Sequence, residues 1–234
     1  MEKDEKNFTP EILAKYIDHT LLKPDATSKD IEKLCQEAKQ FGFYSVCVNS
    51  SRVALARYFL EETDIKVCSV VGFPLGAVDS DAKRYETEVA IDEGAHEIDV
   101  VINIGFLKDK EDKKVLRELR DIVEAADERI VKVIIETCLL TEEEKIRACN
   151  LVVESEAHFV KTSTGFSHSG ATIEDVKLLR KTVGEKFGVK AAGGIRDTAT
   201  AIAMLKAGAD RLGTSSGIKI VQGISPTPNS TSAY

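Results

Sequence analysis

Short runs of β-branched and apolar residues recur along the chain, separated by longer stretches in which apolar positions return every three or four residues. The runs fall at 16–20, 44–49, 66–73, 97–104, 131–137, 158–164, 189–194 and 211–215. This alternation predicts a parallel sheet covered by helices, and about eight strands is the number that closes a barrel. An open doubly wound sheet would alternate in the same way, but no G-x-G-x-x-G turn follows the first run and no phosphate-loop lysine motif occurs. The expected fold is α/β, a single (β/α)8 barrel with a short N-terminal helix. One domain spans 1–234, with 222–234, rich in Ser, Thr, Pro and Asn, expected as a flexible tail.

Helix starts are legible because the first free N–H groups of a helix need an acceptor. Thr9-Pro10 supplies a cap and a first-turn proline; Thr27 or Ser28 precedes Ile31, Leu34, Cys35, Ala38 and Phe41, with Gly42 as the stop. Thr141 with Glu144 reads as a capping box, and Thr172 with Asp175 as its shorter relative. The stripe Ile173, Val176, Leu179 and Val183 then reads as core against the barrel wall.

Composition narrows the function classes. A chain of 234 residues with a formal charge of -7 provides no broad attraction for nucleic acid or for an anionic membrane, so any anionic ligand must be held locally. The five cysteines are scattered without a C-x-x-C pair, and the four histidines lack H-x-x-x-H spacing. Neither a disulfide framework nor a metal site is expected, and a reducing, cytoplasmic location fits best. No leader-like apolar segment opens the sequence. Monomer and homo-oligomer, whether a homodimer or larger, are both compatible with this composition.

In such barrels the reactive groups stand at the C-terminal ends of strands. The polar residues within or ending the apolar runs are Asp18, Asn49, Asp99, Asn103, Glu136, Lys161, Thr164 and Lys190. A buried charge needs a partner or a task. Lys161 and Lys190, on neighbouring strands, would share one central pocket, where a like charge and partial desolvation disfavour an ammonium and free a lone pair for a carbonyl. Asp99 is placed to shuttle protons. A buried lysine–aspartate pair that only shapes the interior remains the structural alternative. Two glycine segments, Ala191-Ala192-Gly193-Gly194-Ile195-Arg196 and Gly213-Thr214-Ser215-Ser216-Gly217, end the last two strands, where barrels commonly cradle phosphate on backbone N–H groups. A phosphorylated carbonyl compound is the substrate class this predicts; a phosphate-binding isomerase or epimerase and a non-catalytic sugar-phosphate sensor stand as alternatives.

At these residues the sequence resembles the deoxyribose-phosphate aldolase family, over 17–223. The segments that carry the resemblance are Ile17-Asp18-His19-Thr20-Leu21-Leu22-Lys23-Pro24, Val70-Val71-Gly72-Phe73-Pro74-Leu75-Gly76, Glu97-Ile98-Asp99-Val100-Val101-Ile102-Asn103 and Phe159-Val160-Lys161-Thr162-Ser163-Thr164-Gly165-Phe166, together with the two glycine segments. The resemblance implies reversible cleavage of 2-deoxy-D-ribose 5-phosphate to D-glyceraldehyde 3-phosphate and acetaldehyde without a cofactor. It implies that Lys161 forms an imine, that Lys190 depresses its pKa and that Asp99 relays protons. Asp18 and Thr20 would line the sugar end, while Thr164, Gly165, Gly193, Gly194, Gly213, Ser215 and Ser216 would hold the substrate and its phosphate. Where some members carry a lysine after the glycine of K-T-S-T-G this chain has Phe166, which shifts the expected charge to Arg196. Some members end in a tyrosine that reaches the active site, as this chain ends at Tyr234. Cys47, ending the second strand, is open to two readings: an aldehyde-reactive thiol or plain core.

Overall fold

The structure, a computed structural model, describes residues 8–223. Eight parallel strands close on themselves in chain order, and β1 (Ile17–Leu21) pairs with both β2 (Ser45–Asn49) and β8 (Arg211–Thr214). Between them lie β3 (Lys66–Val71), β4 (Glu97–Val101), β5 (Ile130–Ile134), β6 (Phe159–Lys161) and β7 (Gly188–Ala192). This is the (β/α)8 barrel that the alternating pattern predicts. The short leading helix α1 (Pro10–Ala14) is also present, with the Thr9 hydroxyl accepting from Ile12 N–H at 3.3 Å.

The helices start where the capping residues say they should. In α2 (Ser28–Phe41) Thr27 and Asp30 form a reciprocal box, and Gly42 ends the helix in the left-handed region at φ 66. The other wall helices are α3 (Val53–Leu60), α4 (Ser80–Asp92), the short α5 (Ile104–Lys108), α6 (Asp112–Ala125) and α7 (Glu142–Glu154), which the Thr141–Glu144 box opens. They continue with α8 (Ile173–Val183), α9 (Thr198–Ala207) and α10 (Gly217–Val221). At α8 the predicted box is half made. Thr172 accepts from Asp175 N–H at 3.0 Å, but the Asp175 carboxylate turns to Lys145 on α7 at 2.6 Å instead of back to the cap.

The hydrophobic core is a shell between the barrel wall and the helices. Val46, Val67, Val100, Val133, Val160 and Leu212 point outward into it and meet helix residues such as Ile31, Leu119, Val176 and Leu179. Because successive strand residues face opposite sides, their neighbours point inward, and that interior is charged. The fully buried pair Lys83–Glu118, 2.8 Å apart, ties α4 and α6 to the end of β4 through Val101 O at 2.9 Å.

The structure shortens several predicted strands at their C-terminal ends. Gly72 and Phe73 leave the sheet, Ile104 begins α5, and Thr137–Leu139 forms a 3-10 turn. Asn103, read as a polar strand residue, caps α5 by accepting from Phe106 N–H at 3.1 Å. Apolar residues such as Ile102 and Ile135 continue past the strand ends into the core, so hydrophobicity alone does not mark where pairing stops.

Candidate active site

The strand register builds the interior cluster. Asp99 on β4 stands beside Lys132 on β5, Lys161 on β6 beside Lys190 on β7, and Lys190 beside Arg211 on β8. Asp99 is fully buried and gathers three amines. Its Oδ1 accepts from Lys132 at 2.8 Å, and its Oδ2 accepts from both Lys161 at 2.7 Å and Lys190 at 2.6 Å.

Pairing ranks the amines. Lys190 also faces Asp18 at 2.5 Å, Lys132 also faces Glu97 at 2.7 Å, and Arg211 lies between Asp18 at 2.9 Å and Glu97 at 3.5 Å. Lys161 has Asp99 as its single carboxylate ion-pair partner among the described residues. The cluster thus holds four cations, Lys132, Lys161, Lys190 and Arg211, against three carboxylates, Asp18, Glu97 and Asp99. Loss of one proton brings it to charge balance, and Lys161 is the least compensated amine. It also lies nearest the mouth, 3% exposed where Lys132 and Lys190 are fully enclosed.

Burial alone would protonate Asp99, but the three surrounding ammonium groups outweigh it and hold its carboxyl well below the ordinary carboxylate range. Asp18 is likewise held low against its burial, by Lys190 and Arg211. Burial acts the other way on Lys190, yet Asp18 and Asp99 outweigh it and raise that ammonium above the ordinary lysine range. The desolvation expected to disfavour an ammonium in this pocket does not prevail at Lys190. Its carboxylate partners make it a fixed cation.

The sequence reading passed over Lys132, which sits in the middle of β5 rather than at its end. Its signal was a lysine inside Ile130-Val131-Lys132-Val133-Ile134, on the inward parity. Ser163 was also passed over; its hydroxyl is buried two residues beyond Lys161 and makes no hydrogen bond among the described residues.

At the mouth, two cavities meet at the exposed Arg196. One, of about 530 Å³, is lined by Thr20, Lys23, Arg196, Ser215, Ser216 and Lys219, among others. The other, of about 290 Å³, includes Gly165, His168, Gly193, Gly194 and Arg196 in its lining. Lys161 lines neither and is itself buried. Gly193 has φ 84, and a Cβ there would stand 2.9 Å from Gly170 Cα, so only glycine lets these loops touch.

Other expected residues fall elsewhere. Gly213 lies within β8, not in a phosphate loop, and a Cβ on it would come 3.1 Å from Lys190 Cε; its place is to leave room for that lysine. Asp18 is fully buried in the barrel, engaged with Lys190 and Arg211. The Thr20 hydroxyl donates to Asp18 O at 2.9 Å, and that of Thr164 donates to Glu136. Tyr234 lies outside the described residues, as does the tail from 224 onward.

Cys47 and Cys68 are register partners on β2 and β3 and face the interior beside Leu22 and Val70. Cys47, Cys68 and Asp99 place potential metal-binding atoms within 4.8 Å of one another. Asp99 already accepts from three ammonium groups, which makes the spot unsuited to a further cation.

A parallel barrel with acid-paired amines beneath a glycine-lined mouth defines an amine-bearing (β/α)8-barrel enzyme. The family model described as DeoC/LacD family aldolase matches residues 12–223. The chain belongs to the DeoC/LacD aldolase family. It is 59% identical over 210 residues to the deoxyribose-phosphate aldolase of Alkaliphilus oremlandii, covering 89% of this chain and 95% of that one. It is also 59% identical over 215 residues to that of Thermococcus gammatolerans, covering 90% and 96%. The solved deoxyribose phosphate aldolase of Aeropyrum pernix, described as tetrameric, superposes with a TM-score of 0.86 at 35% identity over 92% of this chain and 91% of that one.

Proposed function

We propose that the chain is a class I aldolase that reversibly cleaves 2-deoxy-D-ribose 5-phosphate to D-glyceraldehyde 3-phosphate and acetaldehyde, with Lys161 as the imine-forming amine. The observation that carries the residue assignment is the shared oxygen of Asp99, which joins a singly paired amine to a fully compensated one. Lys161 hands a proton to Asp99 and its Nζ attacks the substrate aldehyde carbon; the carbinolamine loses water as Asp99 passes that proton to the departing hydroxyl and regains its charge. In the resulting iminium, the bond between C2 and C3 breaks as the C3 hydroxyl passes its proton to Asp99, which later supplies it to C2, and the electron pair moves into an enamine. D-glyceraldehyde 3-phosphate leaves. Protonation at C2 and hydrolysis of the imine release acetaldehyde and restore the amine. Lys190, held as a cation, keeps Asp99 charged and in place.

Phosphate is assigned to the loops at Gly165, Gly193, Gly194, Ser215 and Ser216, with Arg196 as the nearby cation. The match to the aldolase family over 12–223 favours cleavage over the isomerase alternative. The tetramer described for Aeropyrum pernix supports a homo-oligomer here. A cytoplasmic location is supported by five free cysteines. No helix among the described residues is long and apolar enough to cross a membrane.

The test is product analysis. Purified protein given 2-deoxy-D-ribose 5-phosphate is expected to release acetaldehyde and D-glyceraldehyde 3-phosphate in equal amounts; conversion to an isomeric sugar phosphate alone would refute the reading.

A further inference from the structure

Glu136 is a buried carboxyl that the reaction scheme leaves idle. It stands two residues past the end of β5, in the left-handed region at φ 52 and ψ 67. That conformation is unfavourable for a residue with a long side chain, so the surrounding contacts must hold it there.

The segment and its carboxyl reach the departing end of β6. Ile135 N–H donates to Lys161 O at 3.0 Å and Thr137 N–H to Thr162 O at 2.9 Å, which extends the β5–β6 ladder beyond both strands. At the following rung the partner is a side chain. Thr164 N–H lies 3.4 and 3.3 Å from the two Glu136 carboxyl oxygens, and the Thr164 hydroxyl donates to Oε2. Thr164 Oγ in turn accepts from Phe166 N–H at 3.0 Å, and the Cys138 thiol donates to Ser167 Oγ at 3.3 Å. Gly165 is thus suspended between two anchored residues. It packs against the second loop so closely that a Cβ on Gly193 would stand 3.4 Å from Gly165 Cα.

We propose that Glu136 is a positioning residue: its carboxyl, aimed by the left-handed backbone, sets the place of the Gly165 wall relative to the Lys161 amine. This inference rests on the aldolase reading and deepens it. The Glu136 carboxyl lies within the field of Lys161 but spends its hydrogen bonds on the segment beyond it, so its loss should loosen phosphate binding more than it alters the amine. Burial raises the Glu136 carboxyl above the ordinary range, with the Thr164 contacts opposing; charged or neutral, it retains an oxygen that accepts from Thr164.

The experiment compares kcat/KM for 2-deoxyribose 5-phosphate and for unphosphorylated 2-deoxyribose in wild type, Glu136→Gly and Glu136→Gln. Glycine adopts this backbone freely, so Glu136→Gly removes the carboxyl without straining the turn. Its preference for the phosphorylated substrate is expected to fall about tenfold, through KM, with kcat on the unphosphorylated sugar changed by less than about threefold. Glu136→Gln keeps an acceptor at the same reach and is expected to hold the preference within about threefold. Should Glu136→Gly not melt cooperatively, Glu136→Asn, which tolerates the conformation but is one methylene too short, reads the same loss. Equal slowing on both substrates, an unchanged preference, or Glu136→Gln as damaging as Glu136→Gly would overturn the proposal. Wild-type protein that releases no acetaldehyde from either sugar would instead sink the parent reading.

Discussion

Lys161 and Lys190 donate to one and the same atom, Oδ2 of Asp99, from adjacent strands. Two amines on a single oxygen are not equivalent once their other partners are counted. Lys190 has a second carboxylate in Asp18, and Lys161 has no second ion-pair partner among the described residues. The difference leaves Lys161 with one ion-pair partner among these residues and holds Lys190 as a fixed cation.

Replacing the reactive amine should therefore be cheap for the fold. In Lys161→Ala, Asp99 keeps Lys132 and Lys190, and the remaining cluster has three cations for three carboxylates. We expect cleavage to become undetectable while stability falls by no more than about 1–3 kcal/mol, the range for losing one hydrogen bond to a buried group. Urea denaturation beside an acetaldehyde-release assay checks both halves.

Lys132 should behave in the opposite way. Lys132→Met removes the partner of Asp99 Oδ1 and the nearer partner of Glu97 at once, leaving Glu97 with Arg211 at 3.5 Å. The expected cost is about 3–5 kcal/mol, larger than for Lys161→Ala. Equal stability of the two variants in urea would contradict the pairing scheme.

The depressed carboxylates make an acid prediction. Asp18 and Asp99 titrate below their unfolded value of about 3.9, so the native state binds fewer protons than the unfolded chain as pH falls through that region. Their stabilisation is complete above about pH 5 and is lost progressively below it. Lys190 is raised, so its share is complete below about pH 10 and fades as pH climbs further. The stability gap between wild type and Asp99→Asn should be widest near neutrality and should narrow below about pH 4. A gap that widens in acid would reverse the sign of this argument.

Cysteine labelling tests the interior directly. Cys138 is partly exposed, whereas burial pushes the Cys35 and Cys149 thiols up to about 12. Cys47 is lowered by its hydrogen bond with Cys68 but sits fully enclosed. Native alkylation mapped by peptide mass should mark Cys138 first, then Cys47 as the mouth opens, with Cys35 and Cys149 last. Labelling of Cys35 ahead of Cys138 would contradict the packing.

Much of this was legible in the sequence, and the gaps have physical causes. Strand count, barrel closure and the capping boxes follow from local patterns, and Lys161, Lys190 and Asp99 stand out as charges inside apolar runs. Lys132 lies in the middle of β5, where a rule that looks to strand ends does not reach, although its inward parity is readable. The inequality of Lys161 and Lys190 depends on which carboxylates face them across the barrel, which no local pattern records. Glu136 announces its charge but not its left-handed backbone, and Gly213 resembles a phosphate-loop glycine until Lys190 is seen packed against it.

The most direct test of the central claim is the mass of the peptide containing Lys161 after acetaldehyde and borohydride are added together. Reduction of an imine would leave one ethyl group on Lys161, with Lys132 and Lys190 unmodified. An adduct on Lys190 in its place, or no adduct on a protein that still cleaves its substrate, would contradict the account.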